Sequence, residues 1–323
     1  MKYEVFGDTG LTVSKLALGG GPFGSHMSEE ESFTVLDAFV ENGGTMLDTA
    51  NIYGRWAPGN APRSELCIGK WLKERKIRDK VVLDSKCACP NLMTMHINRL
   101  SAQEVAHDLH ESLRNLNTDY LDFFWLHHDD PNRPVEEILE TLNRFWREGK
   151  ILHFGLSNWR LPRIRKAVAY AKLSGLKGFS ARQVMHNLAE ANVSALEADR
   201  MTWLGEEGIG YHIATQMPIF AYSPQAQGYF TLSRKPDFQT NSKYAHVRSF
   251  YENAISSRRA EAVATLAKER NCDPTQIALA FLLNHQYFQI IPIIGAHSVQ
   301  ELQLSLGALE IELSLTEMEF LQG

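Results

Sequence analysis

Short apolar runs, each followed by a polar turn and a longer segment of helical period, recur along the 323 residues at a spacing of roughly 30 to 40. The runs cover residues 14–18, 45–49, 81–86, 120–127, 151–157, 179–184, 219–223 and 289–294. Most are near-continuously hydrophobic, as strands buried on both faces of a parallel sheet must be. Eight such units are the number that closes a (βα)8 TIM barrel, and the chain exceeds the roughly 250 residues of a bare barrel by enough to hold long inserted βα loops. The competing architecture, an open doubly wound sheet, lacks its signature, since no G-x-G-x-x-G follows an early strand.

Helix starts between the runs are explicit. Capping boxes stand at Ser28/Glu31, Ser101/Glu104 and Ser298/Glu301, with Asp273-Pro274 and Gln276 as a fourth start. Val105, Leu109, Leu113 and Leu116 then form one apolar stripe. No Pro/Gly/Ser-rich linker, charge block or low-complexity tract interrupts the pattern, so residues 1–323 are expected to form a single barrel domain. Residues 1–10, with the turn Gly7-Asp8-Thr9-Gly10, suit an N-terminal β-hairpin that plugs the barrel floor. Residues 225–256 form the largest insertion, read as a structureless loop of the functional kind, such as a lid.

Charge and cysteine usage narrow the partners. With 33 basic and 38 acidic residues the formal charge is −5, and no Lys/Arg run could neutralise a phosphate backbone, so nucleic acid is not an expected partner. Cys67, Cys87, Cys89 and Cys272 are too few for a disulfide scaffold, and the lone C-x-C has no second Cys/His pair at zinc spacing, so no metal site is expected. Cys87 and Cys89 suit inert packing. The opening MKYEVFGDTGLTVSKLALGG lacks the pattern of a secretory leader, and no stretch reaches about 18 apolar residues. These features point to a cytoplasmic protein that does not span a membrane. No heptad or edge strand fixes an oligomeric state.

In a barrel of this kind chemistry sits at the C-terminal ends of the strands. There the chain places Asp48 and, shortly after, Tyr53; Lys86; His127 and His128; Ser157 and Asn158; Gln183; Tyr222 and Ser223. An acid, a phenol, an amine and an imidazole at one mouth make an acid–base set. Lys86 is expected to lower the pKa of Tyr53, with Asp48 holding Lys86 charged, so that Tyr53 donates a proton near neutrality. His127 would direct a substrate oxygen and stabilise the charge that grows on it. Strand alternation separates His127 from His128, which suits either pocket wall or loop packing, and makes Trp125 barrel filling. Gly19-Gly20-Gly21 suits a turn at the pocket edge with Phe23.

The segments LDTANIYG (47–54), Ser64-Glu65, DSK (84–86), DYLDFFWLH (119–127), REGKILHFGLSN (147–158), AYSP (221–224) and IPIIG (291–295) together resemble the landmarks of the aldo-keto reductase family, in order and over essentially the whole chain. The resemblance implies a barrel that binds a nicotinamide cofactor in extended form, and hydride transfer between C4 of the nicotinamide and a substrate carbonyl. It implies Asp48, Tyr53, Lys86 and His127 as the catalytic set. It further implies that Ser157, Asn158 and Gln183 hydrogen-bond the carboxamide and that Tyr222 stacks on the ring. Ser223, Pro224, Gln225, Gln227 and Gly228 would line the pyrophosphate region, and Gly295, His297, Ser298 and Gln300 the adenosine end.

The implied cofactor is NADP(H), with NAD(H) the alternative. Family members commonly carry an acid or amide followed by Asn in the final helix and a basic residue after the last strand, where this chain has Leu304-Ser305 and Gly295-Ala296-His297. Glu301 would repel a phosphate there. Phe23, Trp56, His128 and Trp159, with Arg55, Arg160, Phe250 and Tyr251, are the candidate substrate wall, suited to an aldehyde, ketone or polar sugar-like carbonyl or hydroxyl compound. Two other functions fit parts of the pattern. One is a non-catalytic nucleotide sensor or auxiliary subunit. The other is a Schiff-base lyase using Lys86, which Asp48 disfavours by keeping the amine protonated.

Overall fold

In the computed structural model, which describes residues 1–323, the apolar runs pair as eight parallel strands in a closed barrel. A two-stranded antiparallel hairpin, β1 (Tyr3–Val5) and β2 (Thr12–Ser14), precedes it. The barrel strands are β3 (Ala17–Gly19), β4 (Met46–Asp48), β5 (Val82–Cys87), β6 (Leu121–Leu126), β7 (Ile151–Ser157), β8 (Ala181–Met185), β9 (Ile219–Tyr222) and β10 (Ile290–Ile294). Neighbours in sequence are neighbours in the sheet, and β10 closes on β3 through Ile293 opposite Ala17 and Ile294 opposite Leu18.

The run 14–18, expected as one strand, is broken. The Ser14 hydroxyl donates to the Leu16 carbonyl (2.7 Å) and accepts from the Thr45 amide (3.1 Å). The chain therefore turns between hairpin and barrel instead of extending through both. The hairpin turn delivers Phe6 into the barrel, where its ring lies 4.7 Å from Phe220 and 6.0 Å from Phe123. Gln289, just before β10, pins this turn by donating to the Val5 carbonyl (2.9 Å) and accepting from the Gly7 amide (2.8 Å). The floor is plugged as the sequence suggests.

Above the plug, Trp125 stacks on Phe123 at 4.3 Å and meets Phe220 edge-on at 5.1 Å, filling the interior. Its partner in register on β7 is Gly155, where a Cβ would fall 2.3 Å from the indole and 2.6 Å from the Ala181 carbonyl. A side chain at 155 and an indole at 125 cannot coexist here.

The helices start largely where capping residues announce them. Full boxes form at Ser28/Glu31, Ser101/Glu104 and Asp273/Gln276. At Ser298 only half forms, because the Glu301 carboxylate accepts from the amide of His297 instead (2.9 Å). The box at Ser314/Glu317 was not anticipated. The helix Ala102–Asn115 buries Val105, Leu109 and Leu113 as its stripe requires.

Residues 225–256 are not structureless. They fold into helical turns at Tyr229–Leu232 and Ala245–Tyr251 around their own aromatic cluster, in which Tyr229 contacts Phe238 (5.9 Å) and Tyr251 (6.1 Å). The Arg248 guanidinium bonds the Phe238 and Asn241 carbonyls and ties the insertion together. The aromatic density read as a ligand feature is the insertion's own core.

Replacing Gly155 with alanine should displace Trp125 and destabilise the fold by about 1–3 kcal/mol. Urea unfolding followed by tryptophan fluorescence measures this, and an unchanged midpoint would contradict the packing described.

Candidate active site

Lys86 ends the inward face of β5 with its side chain fully enclosed. A buried ammonium must find replacements for water. Nζ donates to Asp48 Oδ2 on β4 (2.7 Å), to the Thr49 carbonyl (2.8 Å) and to the Tyr53 hydroxyl (3.2 Å). The other Asp48 oxygen accepts from Gln183 Nε2 on β8 (2.8 Å). The acid is thus held from two sides of the barrel.

Tyr53 lies in the turn after β4, and its position is built from outside the barrel. The Asn51 side chain donates to Glu111 (2.8 Å), and Arg55 pairs with the same carboxylate (2.7 Å), tying the turn to the helix Ala102–Asn115. Gly54 has φ +88°, and a Cβ there would lie 2.6 Å from that of Arg63, so the turn tolerates only glycine. Ser64 and Glu65 buttress the strand ends: Ser64 bridges Thr49 (2.7 Å) and the Gly20 carbonyl (2.7 Å), while Glu65 accepts from Ser85 (2.7 Å) and Asn115 (2.8 Å).

His127 sits edge-on to Tyr53 with ring centroids 5.9 Å apart and stacks against His128 at 5.2 Å; strand alternation does not separate the pair as expected, because β6 ends at Leu126 before it. Burial, with the charges of His128 and Lys86 adding to it, drives the His127 pKa well below the usual imidazole range. Burial lowers His128 to about 4. Both rings are therefore neutral at pH 7. The expected lowering of the Tyr53 pKa is not what the site produces. Burial raises it by more than the Lys86 ammonium lowers it, leaving a neutral phenol with a cation beside its oxygen.

A cavity of about 760 Å³ opens from this centre. Asp48 and Tyr53 stand at one end, with Gly19, Gly21 and Pro22 on one wall and Tyr222, Ser223, Pro224, Gln225, Gln227 and Gly228 on the other. At the far end lie Gly295, His297, Glu301, Leu304 and Ser305, with Thr231, Leu232, Asp273 and Thr275 beside them. Ser223, Gln227 and Gly228 have left-handed backbones that curl the chain around this space. Gln225 Nε2 donates to Ser305 Oγ (3.0 Å) and links the two sides. A cleft of this volume, lined by the Tyr53 hydroxyl and by Gly19, Gly21, Gly228 and Gly295, suits a dinucleotide.

The amide of Asn158 is committed within the protein. It donates to the His127 carbonyl (3.1 Å) and Ser157 Oγ (3.2 Å), and accepts from the Tyr222 hydroxyl (2.8 Å). Ser298 spends its hydroxyl on its helix cap, and neither it nor Gln300 lines the cavity. Phe23, expected at the pocket edge, is buried among the helices with Met27, Val35 and Cys67. Trp159, expected in the substrate wall, is fully buried against Phe179 (5.7 Å) beneath the Arg163 guanidinium (5.1 Å). Both are apolar residues that follow a strand and turn outward into the helix–strand layer. Phe250 and Tyr251 belong to the insertion core, and Arg160 pairs with Glu197 at the surface. Trp56 stays at the mouth, 44% exposed and stacked on His26 (5.9 Å), and lines a second cavity of about 600 Å³ with Lys86, Cys89, Leu92 and Met93.

Residues 15–323 match the family model described as the aldo/keto reductase family. The chain is 32% identical over 322 residues to an uncharacterized oxidoreductase, YrpG, of Bacillus subtilis, covering 97% of this chain and 92% of that protein. It is 27% identical to the norsolorinic acid reductase of Aspergillus flavus (96% and 77% covered) and 27% identical to an aryl-alcohol dehydrogenase [NADP(+)] of Phanerodontia chrysosporium (97% and 82%). The solved structure of a thermostable aldo-keto reductase, Tm1743, in complex with the inhibitor epalrestat, superimposes with a TM-score of 0.75 at 24% identity, covering 100% of this chain and 99% of that one.

One residue at this centre has no role in the sequence reading. Asp84 pairs in register with Asp48 and lies two residues before Lys86, on the same inward face, yet both its oxygens are buried without a hydrogen-bond partner. Burial and the nearby Asp48 charge push its pKa well above the usual carboxylate range, so one of the two acids stays protonated while the other balances Lys86. The folded chain then holds this proton to higher pH than the unfolded chain does, and stability falls as pH rises above the unfolded value of about 3.9. Asp84→Asn removes that dependence. Its Tm relative to the parent should rise as pH is raised above the unfolded carboxyl value of about 3.9. Calorimetry at several pH values checks the sign, and an advantage that narrows with pH would show Asp84 to be ionised.

Proposed function

Because the chain belongs to the aldo-keto reductase family, we propose that it is a nicotinamide-dependent oxidoreductase interconverting a carbonyl and an alcohol, with Tyr53 as the proton donor. The observation that carries this reading is the contact of the Tyr53 hydroxyl with a fully buried ammonium, itself neutralised by Asp48. The nicotinamide nucleotide, when bound, supplies or takes up the hydride. In reduction, Tyr53 gives its proton to the carbonyl oxygen as negative charge grows there, and Lys86 stabilises the phenolate left behind. Neutral His127 donates a hydrogen bond to the same oxygen. Tyr222 supplies a flat surface in the wall of the cavity, whereas the amides of Asn158 and Gln183, implied by the resemblance as carboxamide partners, are engaged by Tyr222 and Asp48 and lie outside its lining.

The contacts of Lys86 weigh against a Schiff-base lyase. Three hydrogen bonds and a pKa raised by Asp48 against the opposing effect of burial leave no free amine pair. The intact tetrad weighs against a purely sensory role. For the substrate, the second cavity sets Trp56, Leu92 and Met93 among polar groups that include Asn51, Arg55, Arg99, Asp108 and Glu111. The exposed Trp56 ring, together with the aryl alcohol in the name of the Phanerodontia chrysosporium relative, favours an aryl aldehyde or ketone over the sugar-like compound expected from the sequence.

Tyr53→Phe should lower kcat for carbonyl reduction by about 10²–10⁴-fold while nucleotide binding persists, and full activity in the variant would remove Tyr53 from the mechanism. The depressed pKa of His127 and the raised pKa of Tyr53 set the pH profile. Reduction, which needs neutral imidazole and protonated phenol, should stay flat from pH 5.5 to 8, and alcohol oxidation should climb with alkalinity. Across a panel, kcat/KM for benzaldehydes should exceed that for aldoses by about tenfold or more. The reverse order would restore the sugar-like class.

A further inference from the structure

If the cavity at Tyr53 holds a dinucleotide, as proposed above, the reacting ring lies beside Tyr53 and Tyr222, and the second ribose must reach the opposite end, where Glu301, Leu304 and Ser305 line the wall. The charges there have one sign. No lysine or arginine faces the cavity anywhere along its length, and its three carboxylates are Asp48, Asp273 and Glu301. Asp48 is neutralised by Lys86, and Asp273 is engaged as a helix cap through the Thr275 amide (2.8 Å). Glu301 is held in place by the amide of His297 (2.9 Å), with its exposed carboxylate turned to no basic side chain other than the imidazole of His297 at 3.4 Å.

We propose that the distal end of this cavity selects a dinucleotide with an unmodified adenosine ribose, NAD(H), and rejects the 2′-phosphorylated form, with Glu301 as the discriminating residue. The two nucleotides differ by one phosphomonoester of charge about −1.5 to −2 at pH 7. Binding that group in a cleft requires a guanidinium or ammonium to replace its hydration, and this cleft offers a carboxylate instead. A carboxylate beside a ribose is, conversely, the acceptor that a free 2′-hydroxyl needs, as in dinucleotide folds of unrelated topology. Acceptance of one form and rejection of the other come from the same oxygen atoms. The preference for NADP(H) implied by the sequence resemblance is thereby reversed for this chain.

Binding without turnover tests the inference. Titration of the protein with NADH and NADPH, followed by quenching of tryptophan fluorescence, should give a Kd for NADH lower by about tenfold or more. Adding NaCl should narrow the difference, because screening weakens the repulsion of the phosphate. Glu301→Lys should move the Kd ratio toward NADPH by about tenfold or more, with ADP-ribose losing affinity. Leu304→Lys brings a cation to the same end from the next helical turn without touching the His297 contact, and should shift the ratio the same way. Equal or tighter binding of NADPH by the parent protein would overturn the inference while leaving the proposed oxidoreductase activity standing. Failure of both nucleotides to bind at millimolar concentration would overturn that activity and the inference together.

Discussion

A positive charge enclosed in the barrel mouth organises the rest of the site. Moving an ammonium out of water is costly unless each of its hydrogens finds an acceptor, and Lys86 finds three: a carboxylate, a main-chain carbonyl and a phenol. Those acceptors come from β4 and the turn behind it, and the carboxylate is braced by Gln183 from β8. Removing any one acceptor leaves the charge under-solvated, so the demands of a single atom fix the relative positions of three strands and one loop. The orientation of Tyr53 is one result of that requirement.

The enclosure also accounts for protonation. One carboxylate balances one ammonium, and the second carboxyl, Asp84, has no cation left to pair with and is neutral. The imidazoles nearby are neutral chiefly because burial disfavours their charged form, with Lys86 adding to the effect at His127. A site built around one satisfied ion pair therefore presents neutral acids and neutral bases to whatever enters. Such groups can transfer protons at pH 7 without first being prepared by solvent.

Much of this was legible in the sequence, for reasons that particular residues make plain. The barrel strands announced themselves because parallel strands buried on both faces must be apolar throughout, and capping residues marked most helix starts. The Asp48, Tyr53, Lys86 and His127 group could be assembled from strand ends because the fold brings those ends together. What escaped were outcomes that depend on neighbours distant in sequence. Ser14 splits an apolar run through a bond to Leu16 that no periodicity reveals. Phe23 and Trp159 look like pocket residues in one dimension and become packing once the helices cover them. The aromatic spacing in residues 225–256 carried the sign of a small core, but read alone it resembled a ligand surface. The direction of the Tyr53 pKa turned on burial, which a list of neighbouring charges omits.

The seam between β3 and β10 joins residues that lie some 275 positions apart in the chain. Ribosomal synthesis presents the first barrel strand long before its partner exists, so the nascent chain carries an open, curved sheet with two unsatisfied edges. The cleft takes its lining from the turn after β3, the loop after β9 and the end of β10, so it is complete only when that gap is zipped. Any ligand filling the cleft thereby acts as a molecular staple across the join, recognising a completed ring and drawing the population toward it by mass action.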